Sequence, residues 1–264
     1  MYISAKDNVN IKKLAALLGS SKERREAGEF AIEGARNCID VLCEGANGGA
    51  EVTALFYTKQ AAGKYFEQAP ETLAEKCGCK CFEISPQLSQ RLSEGRSSQG
   101  VFLTVKMLHK SIETLESGGK LLVLDGLQDP GNVGTILRTC DAVGVSGAVL
   151  TGNCCDVYNP KVVRAAMGSI MRVPVYIEND FEKAVKSLKN LGYSNVASVI
   201  SGGMSITEFD FGRPCALFIG NEGSGMPKEH VNMCDSAVTI KMHGRINSLN
   251  AATAASIMLW EMFR

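Results

Sequence analysis

The stretch that most limits what this chain can fold into runs from Leu121 to Arg138. Leu121-Leu122-Val123-Leu124 is a short, continuous apolar run of the kind that forms a strand. Asp129-Pro130-Gly131-Asn132-Val133-Gly134-Thr135-Ile136-Leu137-Arg138 then opens an amphipathic segment. Strand, glycine-bearing loop, helix is where an α/β domain usually meets its ligand. The spacing fits neither common phosphate loop: it contains no G-x-G-x-x-G and no G-x-x-x-x-G-K-[ST]. Instead the loop carries an Asn, and an Arg sits inside the helix. Val133, Ile136, Leu137, Cys140 and Val143 share one helical stripe, which would pack on the sheet. Arg138 lies beside that stripe. Two readings of it stand: a side chain directed along the sheet edge into a cleft, or a surface pair with Asp141, three residues on.

The rest of the chain alternates between strand and helix signals. Ile11, Leu14, Ala15, Leu17 and Leu18 recur at helical spacing, and Gly19-Ser20-Ser21 breaks them. Strands are expected at Phe30–Ile32, Val52–Tyr57, Lys80–Ile84 and Val101–Val105, with helices after Gly34, over 60–76 with an interruption at Pro70, and from Ser85-Pro86. In the second half, strands are expected over 121–125, 147–150, 173–177, 195–200, 215–220 and 237–241. Helices are expected over 133–143, 160–169, 181–191 and 250–262. The fold class is therefore α/β in both halves. The expected division is an N-terminal α/β domain over 1–106, a linker over 107–119 and a second domain over 120–264.

With 28 basic and 28 acidic residues in 264, the formal net charge is zero. The chain is not a general polyanion binder, so any nucleic-acid contact must come from a local patch. Ten cysteines are present. Cys77-Gly-Cys79-Lys-Cys81 lacks a matching His or Cys pair elsewhere, and Cys154-Cys155 are adjacent. No metal site is expected; reduced thiols in a cytoplasmic protein account for them. Early charges at Lys6, Asp7, Lys12 and Lys13 argue against a signal peptide. No apolar run is long enough for a membrane span.

Two further segments of the second half are rich in chemistry. Leu217-Phe218-Ile219 runs into Gly220-Asn221-Glu222-Gly223-Ser224-Gly225-Met226-Pro227, where the glycines let a ligand approach the backbone closely. Ile240-Lys241-Met242-His243-Gly244-Arg245-Ile246-Asn247-Ser248-Leu249-Asn250 is a polar loop ending in a helix cap at Asn250. The helix that follows carries Ala254, Ala255, Ile257, Met258, Leu259 and Trp260. With so little polar face it must be covered, by the core or by a second subunit.

In this order and at this spacing, the three segments resemble the three motifs of the SpoU (TrmH) family of RNA ribose 2′-O-methyltransferases. Asn132-Val133-Gly134 with Arg138 resembles the first motif. Gly220, Glu222-Gly223 and Gly225 resemble the second, and Ser248-Leu249-Asn250 the third. The likeness covers residues 121–264. Arg25-x-x-Gly28-x-Phe30-x-Ile32-Glu33-Gly34 extends it to the family's common substrate-binding domain. The resemblance implies a SPOUT α/β fold whose C-terminal part threads a deep trefoil knot, a rare exception to the rule against knots. It also implies S-adenosylmethionine as methyl donor and a homodimer. The donor would lie on the backbone of Gly220, Asn221, Gly223, Gly225, Ile240 and Leu249, with Met242 nearby. Asn132, Arg138, Glu222, Ser248 and Asn250 would form the catalytic face. Lys241 stands where the family commonly has Pro, Ala251-Ala252 where it has Val-Ser, and Thr135 where Ala is frequent.

RNA contacts are expected from Arg24, Arg25, Arg36 and Arg164, although Glu23, Glu26, Glu29 and Glu33 are interleaved with the N-terminal basic residues. Arg164 reads equally as a phosphate contact or a plain surface side chain. Ribosomal RNA is the expected substrate. A transfer-RNA 2′-O-methyltransferase and a catalytically silent knotted RNA-binding protein are the alternatives.

Overall fold

The computed structural model describes residues 1–47, 49–93, 95 and 97–264. Arg96, a basic residue near the expected domain junction, lies outside the described residues. The chain forms two compact units: Met1–Met107 with Tyr158–Met171, and Leu108–Val157 with Arg172–Arg264.

The first unit is built from β1 (Tyr2–Ile3), α1 (Val9–Gly19), α2 (Ser21–Ala27), β2 (Glu29–Glu33), α3 (Ala35–Ala46), β3 (Val52–Tyr57), α4 (Lys59–Tyr65), α5 (Pro70–Cys77), β4 (Lys80–Ile84), α6 (Pro86–Leu92) and β5 (Val101–Lys106). Its five-stranded sheet has the order β1-β4-β3-β5-β2. β1, β4 and β3 run parallel, while β5 is antiparallel to both β3 and β2. The helical run at the N-terminus breaks at Ser20, whose Oγ accepts from Glu23 N and caps α2. Pro70 takes the first turn of α5, where its missing N–H costs nothing. Ile11, Leu14, Leu17 and Leu18 bury the apolar stripe of α1 against Phe56, Phe82 and Phe102. β1 pairs only two residues with β4, too short a segment to leave a periodic signal.

In the second unit, β6 (Lys120–Asp125), α7 (Pro130–Val143) and β7 (Gly147–Thr151) come first. The chain next forms α8 (Pro160–Ala166), which packs on β2 and belongs to the first unit, where Phe30 and Tyr158 set their rings 4.6 Å apart. The second unit continues with β8 (Val175–Ile177), α9 (Phe181–Asn190), β9 (Ser194–Ser198), β10 (Met204–Ser205), β11 (Cys215–Ile219), α10 (Lys228–Met233), β12 (Ser236–Thr239) and α11 (Ala251–Phe263). Its seven strands are all parallel, in the order β10-β12-β9-β11-β6-β7-β8. A wholly parallel sheet is covered on both faces, and Leu121–Leu124 and Ala216–Phe218 are accordingly fully buried. Ile112 and Leu115, from the expected linker, add to this core beside Phe181 and Phe218. The order also explains the site: β11 inserts between β6 and β9, so three chain segments distant in sequence end side by side.

Candidate active site

The carboxyl ends of β9, β11 and β12 open into one cleft. Its walls are Ser198–Ile200, Ile219–Gly223 and Gly225, Thr239, Ile240 and Met242, Asn247–Leu249, and Ala251, Ala254 and Met258 of α11. Its open space, including the solvent at its mouth, is about 770 Å³. Every expected donor-binding position, Gly220, Asn221, Gly223, Gly225, Ile240, Met242 and Leu249, lies on this cleft, as do Glu222 and Ser248. The sequence reading missed the wall at Ser198–Ile200; a strand ending before Ser201-Gly202-Gly203 was its only trace.

Gly220 sits where the loop folds back on itself. A Cβ there would lie 2.4 Å from Met226 N and 2.5 Å from Gly225 C. The requirement is close backbone approach rather than unusual dihedrals. Asn221 holds the loop shut from within. Its Oδ1 accepts from Gly223 N at 2.9 Å and Ser224 N at 3.2 Å, and its Nδ2 donates to Gly126 O at 2.8 Å. That last bond ties the 220–225 loop to the end of β6.

A polar junction joins the three chemistry-bearing segments. Glu222 Oε1 accepts from Asp129 N at 3.0 Å and Asn132 Nδ2 at 3.2 Å, and Oε2 accepts from Gln128 N at 3.2 Å. Asn132 Oδ1 in turn accepts from Asn250 Nδ2 at 2.9 Å. Asn250 Oδ1 caps α11 through Ala252 N and Thr253 N. Asp129 Oδ1 caps α7 through Asn132 N at 2.8 Å. Desolvation would raise the Glu222 pKa, but the N–H groups aimed at its oxygens prevail and hold it lowered. A carboxylate engaged in this way is a poor proton acceptor. Its evident work is to hold the Gln128–Asn132 loop.

Arg138 is exposed and makes no hydrogen bond or ion pair with any described residue. Asp141 instead accepts from Arg172 Nε at 2.9 Å and Nη2 at 2.7 Å. The surface pair of Arg138 with Asp141 does not form. Arg138 is also absent from the cleft lining, so its guanidinium is free for a partner outside this chain.

Asp125, buried at the end of β6, accepts from Thr151 Oγ1 at 3.1 Å and meets His230 Nδ1 at 2.6 Å. The His230 ring stacks on Phe181 with centroids 3.7 Å apart. This contact fastens α10, the helix following the glycine loop, to the strand preceding Asn132. Neither residue stood out in the sequence, because 105 positions separate them.

The expected RNA contacts divide. Arg24 needs correction: it is buried, and its Nη1 donates to Leu17 O at 2.8 Å, among the last carbonyls of α1. It closes a helix end and is not a surface contact. Arg25 and Arg36 are exposed, and exposed Arg164 pairs with Glu33 at 3.3 Å.

All ten cysteines are free. Burial pushes the thiols of Cys140, Cys155 and Cys234 up to about 12 and those of Cys154 and Cys215 to about 11, so none of these five is an activated nucleophile. Among the described residues, no group of three His, Cys, Asp or Glu side chains is placed to hold a metal ion, and no helix is long and apolar enough to cross a membrane.

A parallel sheet with a cleft across its strand ends, walled in part by a glycine loop and next to a polar junction, defines a domain that binds a small cofactor beside a reaction face. The chain belongs to the SpoU rRNA Methylase family, whose model matches residues 119–260, and residues 8–103 match the MRM3-like substrate binding domain. It is 30% identical over 265 residues to the 23S rRNA (uridine(2479)-2′-O)-methyltransferase of Streptomyces viridochromogenes, covering 97% of this chain and 90% of that protein. It is 29% identical over 245 residues to the 23S rRNA (guanosine(2553)-2′-O)-methyltransferase RlmP of Bacillus subtilis, covering 93% and 92%. With a Staphylococcus saprophyticus relative the likeness is confined to 144 residues, 54% of this chain and 58% of that protein, at 39% identity. The crystal structure of an AdoMet-bound rRNA methyltransferase from Sinorhizobium meliloti superposes with a TM-score of 0.87 at 28% identity, covering 99% of this chain and 97% of that one.

Proposed function

We propose that this protein methylates a ribose 2′-hydroxyl of ribosomal RNA in the cytoplasm, with S-adenosylmethionine as donor. The observation that carries this reading is the Glu222–Asn132–Asn250 junction at the edge of a cleft lined by the glycine loop and the 239–249 loop. The cleft suits the donor: Gly220 leaves no room for a side chain, and the walls combine apolar groups such as Ile219, Ile240 and Leu249 with polar ones such as Asn247 and Ser248. The backbone of Gly220, Ile240 and Leu249 would hold it, and when bound it supplies an electrophilic methyl group on a sulfonium.

The chain's own contribution is positioning, the source of much of the rate advantage in such transfers. Glu222 sets the Gln128–Asn132 loop, and Asn132 and Asn250 lock that loop to the start of α11. Ser248, exposed on the cleft wall, is available to the ribose. The hydroxyl proton needs somewhere to go. A guanidinium is always protonated and has no acceptor, so Arg138 clamps the neighbouring phosphate and stabilises the developing alkoxide. The proton leaves through water or to that phosphate. Arg138→Lys is expected to retain measurable activity with an almost unchanged pH profile. Loss of all activity with intact RNA and donor binding would reject the clamp.

A homodimer belongs to this reading. Ile257 and Trp260, 38% and 67% exposed, share one face of α11, and Trp is enriched among the residues that anchor interfaces. Trp260→Glu is expected to convert the protein to a monomer, as read by sedimentation equilibrium; an unchanged mass places the interface elsewhere. The implied knot is supported by the strand order, in which β12 lies outside β9 after β11 has inserted between β9 and β6. The deciding experiment incubates the protein and labelled donor with ribosomal and transfer RNA from cells lacking the gene, then maps 2′-O-methyl sites. A new site in ribosomal RNA is expected. Label only in transfer RNA, or none at all, overturns the reading.

A further inference from the structure

The first unit contains a cavity of its own, lined among others by Glu33, Arg36, Asn37, Gln99, Arg164 and Met167, with about 890 Å³ of open space. We propose that this cavity takes one unpaired nucleotide of the RNA, with Asn37 reading the base edge and the start of α3 holding the phosphate. The proposal rests on the RNA-methylation reading and adds a subsite lined by residues of the first unit.

Asn37 is the strongest observation. It is 7% exposed, lines the cavity, and its side-chain amide makes no hydrogen bond with any described residue. Its amide atoms are not sealed in the interior but open onto the cavity, where a ligand can pair with them. Its NH2 donors and its carbonyl acceptor match the mixed donor and acceptor edge of a nucleobase. Met167 adds an apolar surface for the flat face of that base.

The phosphate end is a separate observation. α3 spans 12 residues and begins at Gly34, which offers no side-chain cap. Gln99 Oε1 accepts from Ala35 N at 2.7 Å, while the next first-turn N–H groups, those of Arg36 and Asn37, have no intrahelical acceptor. The positive end of a helix aimed at such a space attracts an anion. Arg36 is exposed beside it. Arg164 pairs with Glu33, and Glu33 also accepts from the Ser93 hydroxyl. Glu33 offsets one of the two arginines, so a bare anion gains little here, whereas a nucleotide also gains the Asn37 contacts. Sequence-specific RNA recognition relies on splayed, unstacked bases captured in such pockets.

The test uses the full chain and short fluorescein-labelled single-stranded oligouridylate and oligoadenylate, followed by anisotropy across a salt series. Asn37→Ala is expected to weaken the better-bound oligonucleotide roughly tenfold, the scale of one lost base-edge contact, and to narrow the difference between the two. Arg36→Ala is expected to weaken both equally and to lower the salt slope. Calorimetry with S-adenosylmethionine, run on each variant, keeps the two readings apart. Weakened RNA binding in a protein that never binds the donor keeps the pocket and sinks the methylation reading. Intact donor binding with unchanged oligonucleotide affinity in Asn37→Ala sinks the pocket alone. Complete displacement of the oligonucleotide from the wild type by inorganic phosphate also overturns it, since that marks a plain anion site. Should Asn37→Ala misfold, 4-thiouridine photocrosslinking of the wild type decides: label on the peptides carrying Asn37 or Met167 is expected, and label confined to other peptides rejects the proposal.

Discussion

Gly220→Ala is expected to lower affinity for S-adenosylmethionine sharply and to lower activity by roughly a hundredfold, the scale of a misplacement of about 1 Å in a site that depends on position. The new Cβ would lie 2.4 Å from Met226 N and 2.5 Å from Gly225 C. Both are backbone atoms, so no rotamer change relieves the overlap. Ordinary contact begins near 3.4 Å, so the 220–226 loop must open by about 1.0 Å (3.4 − 2.4). That movement also strains the Asn221 bonds to Gly223, Ser224 and Gly126. Gly223→Ala is the informative comparison: its nearest neighbour would be Asn221 Oδ1 at 3.6 Å, so its loss is expected to be far smaller. Calorimetry with the donor checks both, with thermal unfolding to show that each variant is folded. Equal losses in the two variants would refute the close-approach argument.

Glu222→Gln should lower kcat while leaving donor affinity nearly intact. Gln has almost the same shape, but it keeps one acceptor oxygen and turns an NH2 toward donors. Gln128 N, Asp129 N and Asn132 Nδ2 all point at the carboxylate, so at least one is left facing another donor. Losing a charge-assisted bond of this kind costs about 1.5–3 kcal/mol, or roughly tenfold to a hundredfold in rate if it falls on the reactive geometry. The pH dependence has a definite sign. The Glu222 pKa is lowered in the fold, so its stabilisation is fully present above the ordinary carboxylate value of 4.5. It is lost as pH falls through the lowered folded value. Wild-type activity should therefore fall on the acid side as this anchor is protonated, and Glu222→Gln should lack that component. A variant with normal kcat, or one whose acid limb matches the wild type, would show that the Glu222 anchor is irrelevant to the reaction.

Much of the fold was legible because its signals are local. The run Leu121–Leu124 reads as a buried strand, the α7 stripe of Val133, Ile136, Leu137 and Cys140 is buried as its spacing predicts, and Pro70 divides two helices where it must. What stayed hidden has no periodic trace. β1 and β10 are each two residues long. Arg24 looked like one more surface charge in a basic run, yet its neighbours on α1 draw it inside to satisfy carbonyls. The pairing of Asp141 with Arg172 rather than Arg138 depends on a neighbour 31 residues away.

The sequence by itself determined which elements form, and it named the groups available for chemistry: a loop Asn, a helix Arg, a glycine loop with a Glu, and a cap Asn. Only the tertiary structure decided what each of them does. Asn132 and Glu222 are 90 positions apart, and Asn132 and Asn250 are 118 apart. They meet because a parallel sheet brings all its strand ends to one edge, and because β11 enters between β6 and β9. Hydrogen bonding then separates the roles: Glu222 is committed to backbone N–H groups, while Arg138 is left without a partner in its own chain. No local pattern carries that difference, since it depends on the order of the strands.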